Sequence, residues 1–173
     1  MDATTKESEH TPMKNPTKVE RKSDRELVVT RTVNGPARLV FEAWTKAELF
    51  QKWWVPKSAP ITLKSCEMDV RVGGKYRLEF AVGDNTMAFF GTYTEVTPPS
   101  RLVWTNEEDE NGALTTVTFE ERDGKTLVTM HELHPSKEAL DASCASGAAS
   151  GTLETFEQLE ELIANQSKNA KAS

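Results

Sequence analysis

Between residues 61 and 133 the chain is interrupted five times by turn-forming groups: Gly73-Gly74, Gly83-Asp84-Asn85, Pro98-Pro99, Asn111-Gly112 and Asp123-Gly124. Gly-Gly, Asn-Gly and Asp-Gly mark tight hairpins, because the backbone there passes through positive φ, which these residues tolerate. Five such turns predict six consecutive antiparallel strands, roughly 61–72, 75–82, 86–97, 101–107, 113–121 and 126–133. Within the second, Tyr76, Leu78, Phe80 and Val82 alternate with Lys75, Arg77, Glu79 and Ala81. Such alternation makes one face of the sheet dry and leaves the other in water.

What flanks this meander decides how the dry face is covered. The β-branched run Glu26-Leu27-Val28-Val29-Thr30-Arg31-Thr32-Val33 reads as a further strand. Asn34-Gly35-Pro36 closes it, with Pro36 placed in the first turn of a short helix. Ala37, Val40, Phe41 and Trp44 give that helix one apolar side. Thr45 and Glu48 have capping-box spacing for a second short helix, whose apolar members are Leu49, Phe50 and Trp53 and which stops at Pro56. After the meander, Leu153, Phe156, Leu159 and Ile163, with Leu162, form a helical stripe opposite Glu154, Glu157, Glu160 and Glu161, which read as a solvated face. Only small residues fill 143–151, which read as a weak first turn of this helix, the alternative being a loose lid. A seven-stranded sheet needs a cover for its dry face, and only the last helix is long enough. The expected fold is therefore α+β, a curved antiparallel sheet gripping a long C-terminal helix.

Residues 1–24 and 167–173 carry too little bulky apolar surface to offset the entropy of ordering. They are expected to be a disordered arm and tail around a folded unit spanning 25–166. Net charge is −6, and Arg21-Lys22 is the one basic run, which argues against a nucleic-acid partner. No apolar stretch near the N-terminus resembles a signal peptide or membrane span, so a cytoplasmic location is expected by default. Cys66 and Cys144 lack metal-type spacing and read as free thiols. No cofactor is implied: Gly73-Gly74 lies in a hairpin rather than opening a helix, and no serine sits in an elbow motif.

Several strings resemble the family of activators of the heat-shock protein 90 ATPase, within the START or Bet v 1-like (SRPBCC) superfamily. They are Pro36-Ala37, Val40-Phe41 and Ala43-Trp44; Trp53-Trp54; Asp69-Val70-Arg71-Val72-Gly73-Gly74-Lys75-Tyr76; Gly91-Thr92-Tyr93-Thr94-Glu95-Val96-Thr97-Pro98-Pro99; and Arg101-Leu102-Val103-Trp104-Thr105. The likeness spans about 26–165. It implies the helix-grip fold with an internal cavity suited to an apolar small molecule. One departure is Gly151-Thr152, where the family often has Gly-Trp, so the cavity is expected to be wider or wetter at that end.

The expected cavity wall comprises Trp53, Trp54, Tyr76, Leu78, Phe80, Phe89, Trp104, Phe119, His131, Thr152 and Phe156, with Trp54 at the mouth. Trp44 reads as core, and for the other tryptophans core packing and pocket lining are both open. His131 and His134 are three apart in a strand-like segment, which turns their rings to opposite faces and disfavours a metal pair. His131 shares parity with Leu127, Thr129 and Leu133 and is the one weak candidate for an acid or base inside the hollow; a structural histidine is the alternative. Arg77 should face solvent, and Glu95 should pair with an arginine across the sheet. The leading expectation is a binding protein for an apolar or amphipathic molecule, monomeric or a weak homodimer. The rivals are a chaperone-regulating partner protein and a cavity enzyme of cyclase or hydrolase type.

Overall fold

The computed structural model describes residues 17–59, 61–107, 112–145 and 148–172, of which 148–150 and 167–172 are described by backbone alone. Eight strands form one open antiparallel sheet: β1 Lys18–Arg21, β2 Glu26–Val33, β3 Thr62–Met68, β4 Lys75–Val82, β5 Asn85–Thr97, β6 Arg101–Thr105, β7 Leu114–Arg122 and β8 Lys125–Leu133. Their spatial order is β1-β2-β8-β7-β6-β5-β4-β3. Helices α1 Ala37–Thr45 and α2 Ala47–Trp53 lie between β2 and β3, and α3 Lys137–Ala145 and α4 Ala148–Ala172 follow β8. This is the expected α+β helix grip, with eight strands where seven were predicted.

The added strand, β1, falls inside the stretch assigned to the arm. Val19 is its one apolar residue, set opposite Val29 in register. Pairing onto the free edge of β2 is driven by backbone hydrogen bonds, which leave no trace in side-chain pattern. Residues 1–16 of the predicted arm lie outside the described residues.

The hairpin from β7 to β8 shows why the turn signals were informative. Asp123 and Gly124 sit at φ 56° and 79°, the pair of positive values that a two-residue type I′ turn demands. Arg122 and Lys125 then pair directly across it. Helix starts were less legible. Thr45 ends α1, its hydroxyl donating to the Phe41 carbonyl, so no capping box forms with Glu48. Pro36 precedes α1 as an extended residue, and the Ala37 amide is capped instead by the Glu121 carboxylate, 2.9 Å away.

Beyond the sheet the small-residue stretch is helical on both sides of residues 146–147, which lie outside the described residues. Helix α3 was not anticipated; its start is marked by Ser136, whose hydroxyl accepts the Ala139 amide. Helix α4 continues to Ala172, past the predicted end at residue 166. Its buried stripe is Thr155, Phe156, Gln158, Leu159 and Ile163, whereas Leu153, expected in the stripe, is 42% exposed. Glu160 is not on a solvated face either, since it lies against Arg31.

The core lies between the concave face of the sheet and the helices. Leu27, Val29, Arg31 and Val33 of β2 share this face with Thr126, Val128, Met130 and Glu132 of β8. Trp44, Trp53 and Phe156 are its largest fully enclosed side chains. Helix α4 packs on β1, β2, α1, α2 and α3.

Candidate functional site: the aromatic inner face

Helix α4 crosses the β1–β2 side of the sheet, so the concave face of β3, β4 and β5 relies on other cover. Register places Leu63, Cys66 and Met68 of β3 beside Phe80, Leu78 and Tyr76 of β4. On the other side Tyr76, Leu78 and Phe80 face Gly91, Phe89 and Met87 of β5. Cross-strand partners point to the same face, so these residues form one apolar wall. Its inner part is dry: Tyr76, Leu78 and Phe80 are buried. Its outer part is not, because Phe89 is 38% and Met87 47% exposed. The Phe80 and Phe89 rings meet edge to face at 5.4 Å, which makes the wall continuous from core to solvent.

Helices α1 and α2 supply the aromatic cluster at the closed end. Trp44 is ringed by Trp53, Trp54, Trp104, Phe119 and Phe156, with centroids 4.7 to 6.0 Å away. Trp53 is fully enclosed and its indole donates to the Ala43 carbonyl at 2.9 Å. Trp54, the residue expected at the mouth, is half-buried and stacks on Phe50 at 4.6 Å. The segment after α2 is held to α4 by two side chains, Gln158 and Glu154, the latter accepting from the Ser58 amide at 3.0 Å and from the Ser58 hydroxyl. Gln158 donates to the carbonyls of Trp53 and Val55 (3.0 and 2.9 Å) and accepts from the Lys57 amide at 2.9 Å. Nothing in the sequence marks Gln158 for this role, because its partners lie a hundred residues away and are all backbone.

Of the predicted lining residues, Tyr76, Leu78, Phe80 and Phe89 stand on the β4–β5 wall, and Trp53, Trp54, Trp104, Phe119 and Phe156 gather around Trp44. Thr152, half-buried on α4, is the expected end of the wall on the helix side. His131 is the correction. Its register partners are Val28 and Thr116, on the convex face opposite Val29 and Met130, so its ring points away from the hollow. Its Nε2 lies 2.9 Å from Glu26 Oε2, an exposed pairing. Both residue parities of β8 carry apolar groups, Leu127 and Leu133 on one and Val128 and Met130 on the other, which is why alternation alone misassigned it. His134, just past the strand, is buried against Glu132 at 3.1 Å. Glu95 does pair across the sheet, with Arg101 at 3.0 Å, and Arg77 is exposed.

Burial raises the pKa of two titratable groups of the wall, Cys66 and Tyr93. Desolvation pushes the Cys66 thiol up to about 11. The Tyr93 phenol is driven well above its ordinary range, first by burial and then by the neighbouring Cys66. Both are therefore neutral at physiological pH, and Cys66 is a poor nucleophile there. Both cysteines are free thiols. Among the described residues no three His, Cys, Asp or Glu side chains are arranged to hold a metal ion. A separate groove of about 310 Å³ opens between Glu67, Lys75, Tyr76, Arg77, Phe90, Gly91 and Glu107. Its charged rim belongs to the convex face, and Tyr76 is its one residue in common with the predicted wall.

A family model described as "Activator of Hsp90 ATPase homolog 1-like protein" matches residues 34–164. The chain belongs to that family. Solved structures share the fold of this Hsp90-activator-homolog-like protein over nearly their whole length. Protein NE0264 from Nitrosomonas europaea is 26% identical with a TM-score of 0.76, covering 88% of this chain and 100% of its own. Protein Ms6760 from Mycobacterium smegmatis is 23% identical with a TM-score of 0.75, covering 86% and 97%. An AHSA1-like protein from Aeromonas hydrophila is 18% identical with a TM-score of 0.64, covering 81% and 94%; for these last two the likeness is one of fold. No curated protein matches this chain. The family and its fold are those of ligand-binding or regulatory domains. Among the described residues, no helix of this AHSA1-like protein is long and apolar enough to cross a membrane.

Proposed function

We propose that this AHSA1-like protein binds an apolar or amphipathic small molecule against the concave wall of β3–β5, beneath the aromatic cluster. The observation that carries the reading is the wall itself: its dry face runs past its cover, leaving Phe89 and Met87 partly in water. A monomeric soluble domain gains by covering such residues, and a guest that desolvates them gains binding free energy of about 25 cal/mol per Å² of apolar area removed from water. Pockets of this kind take most of their affinity from desolvation and their orientation from a few polar groups. A thermal-shift and native mass-spectrometry screen with fatty acids, sterols and neutral aromatic ketones tests it. Stabilisation by at least one class, lost in Phe89→Asp, is expected; no stabilisation by any class at saturating concentration would end the reading.

A partner role in chaperone regulation has one specific support, the family to which the chain belongs. Its test is direct: the chain is added to a bacterial Hsp90-type chaperone and ATP hydrolysis is followed. Unchanged turnover at a large excess of the chain excludes this role. The cavity-enzyme reading loses its nominated residue with His131 on the convex face, and Cys66 and Tyr93 are held neutral where they stand.

A further inference from the structure

The aromatic cluster contains one fully buried polar atom that pairs with none of the described residues. Trp44 is buried, and its indole Nε1–H has no hydrogen-bond acceptor among the described residues. Buried donors are almost always paired, and leaving one unpaired is unfavourable, so a lone exception in a core calls for an explanation. Trp53 beside it shows the ordinary solution, with its own indole on the Ala43 carbonyl.

We propose that Trp44 Nε1–H is the polar anchor of the ligand site, and that it selects a neutral apolar guest carrying one strong acceptor oxygen, such as an aromatic ketone. This rests on the reading of the concave wall as a binding site. The ring environment defines the guest. Five aromatic side chains surround Trp44, and of these Trp54 alone is half-buried while the other four are buried, so the approach runs past Trp54. None of the five is cationic, so a carboxylate brought to this N–H would be a buried charge with one neutral donor and no counterion, a costly arrangement. A carbonyl oxygen carries no such penalty and satisfies the donor. An unsubstituted hydrocarbon fills the same space but leaves the donor as it was.

Three naphthalene probes of similar size separate these cases: 1-acetylnaphthalene, 1-ethylnaphthalene and 1-naphthoate. Affinities are read by tryptophan fluorescence for the wild-type protein and for Trp44→Phe, which removes the N–H and keeps an aromatic ring. The ketone-over-hydrocarbon affinity ratio is expected to be roughly tenfold higher in the wild type than in Trp44→Phe, and the naphthoate is expected to bind most weakly. Should Trp44→Phe fold poorly, the wild type alone suffices. Its Trp44 indole resonance, assigned through contacts to Phe119 and Phe156, is expected to move downfield with the ketone and to stay near its free position with the hydrocarbon. Equal binding of ketone and hydrocarbon with a static Trp44 resonance overturns the anchor and leaves the binding-site reading standing. So does a Trp44 N–H held by a long-lived internal water that the ketone does not displace. Binding by none of the three overturns the anchor; whether the wall binds anything is then decided by the broader screen.

Discussion

Arg31 on β2 and Glu160 on α4 form a buried ion pair, with Arg31 Nη2 2.6 Å from Glu160 Oε1 and side chains only 3% and 12% exposed. Arg31 Nε donates to the same oxygen at 2.9 Å. The surrounding lone pairs and protons are also matched: Arg31 donates to Thr17 Oγ1 at 2.7 Å, and Glu160 Oε2 accepts from Asn34 Nδ2 at 2.8 Å. The pair fixes the gripped helix against β2 on the concave face, near one edge of the sheet, where either charge alone would be unfavourable.

Removing one partner is therefore expected to be far worse than removing both. Arg31→Ala or Glu160→Ala should each cost about 3–5 kcal/mol, because the surviving charge stays in the interior. The apolar double variant Arg31→Met with Glu160→Leu should be more stable than either single variant by about that margin, and close to wild type. Urea unfolding of the three variants measures this, and single variants within about 1 kcal/mol of wild type would show the pair to be incidental.

Gln158 is expected to control the loop under the mouth. Gln158→Ala strands two carbonyls and one amide, with an expected loss of about 1–3 kcal/mol. The sharper readout is local. Hydrogen exchange at the Lys57 amide should accelerate by more than the change in global stability accounts for, since the opening is of residues 54–59 alone. Protection at Lys57 that tracks global stability would contradict this.

Two glycines are expected to answer differently to alanine. At Gly91 a Cβ would overlap the Thr105 carbonyl oxygen and press on the Tyr76 ring, both of them fixed by the Tyr76 hydroxyl donating to that carbonyl at 2.8 Å. Gly91→Ala should cost more than about 2 kcal/mol and disturb the β5–β6 register. Gly83 has a positive φ of 62° but open space around it, so Gly83→Ala should cost only about 1 kcal/mol of backbone strain. Thermal unfolding of both variants would reveal the difference or its absence.

The convex-face pair gives a pH prediction. The Glu26 carboxyl is held below its ordinary value of 4.5, first by the His131 hydrogen bond and then by the Ser23 hydroxyl. A depressed folded-state value means the unfolded chain takes up the proton first as pH falls. This contribution to stability is thus complete above the ordinary glutamate range and disappears as pH drops through the lowered value. His131→Ala should raise the Glu26 midpoint, and Ser23→Ala should raise it less. Side-chain NMR titration decides, and an unchanged midpoint in His131→Ala would remove the pairing from consideration.

How much of this was legible in the sequence depended on distance along the chain. Hairpins are local events, so Asp123-Gly124 and the alternation of Tyr76, Leu78 and Phe80 foretold the turn, the strands and the dry face. The double tryptophan foretold an aromatic cluster, although not that Trp44 would be its centre with an unpaired N–H. Thr45 and Glu48 had the right spacing for a capping box, yet the Thr45 hydroxyl had a nearer partner in the Phe41 carbonyl.

By itself, then, the sequence determined the grip architecture, because period-two patterning, turn residues and one long amphipathic stripe each depend on neighbours only a few positions away. Tertiary structure alone decided that Lys18–Arg21 joins the sheet, that His131 faces outward and that Glu160 is drawn against Arg31 rather than solvated. Those outcomes turn on partners far along the chain, 129 residues apart for Arg31 and Glu160, and on backbone edges that carry no side-chain signature. Pairing of that kind exists only once the sheet has closed on its helix.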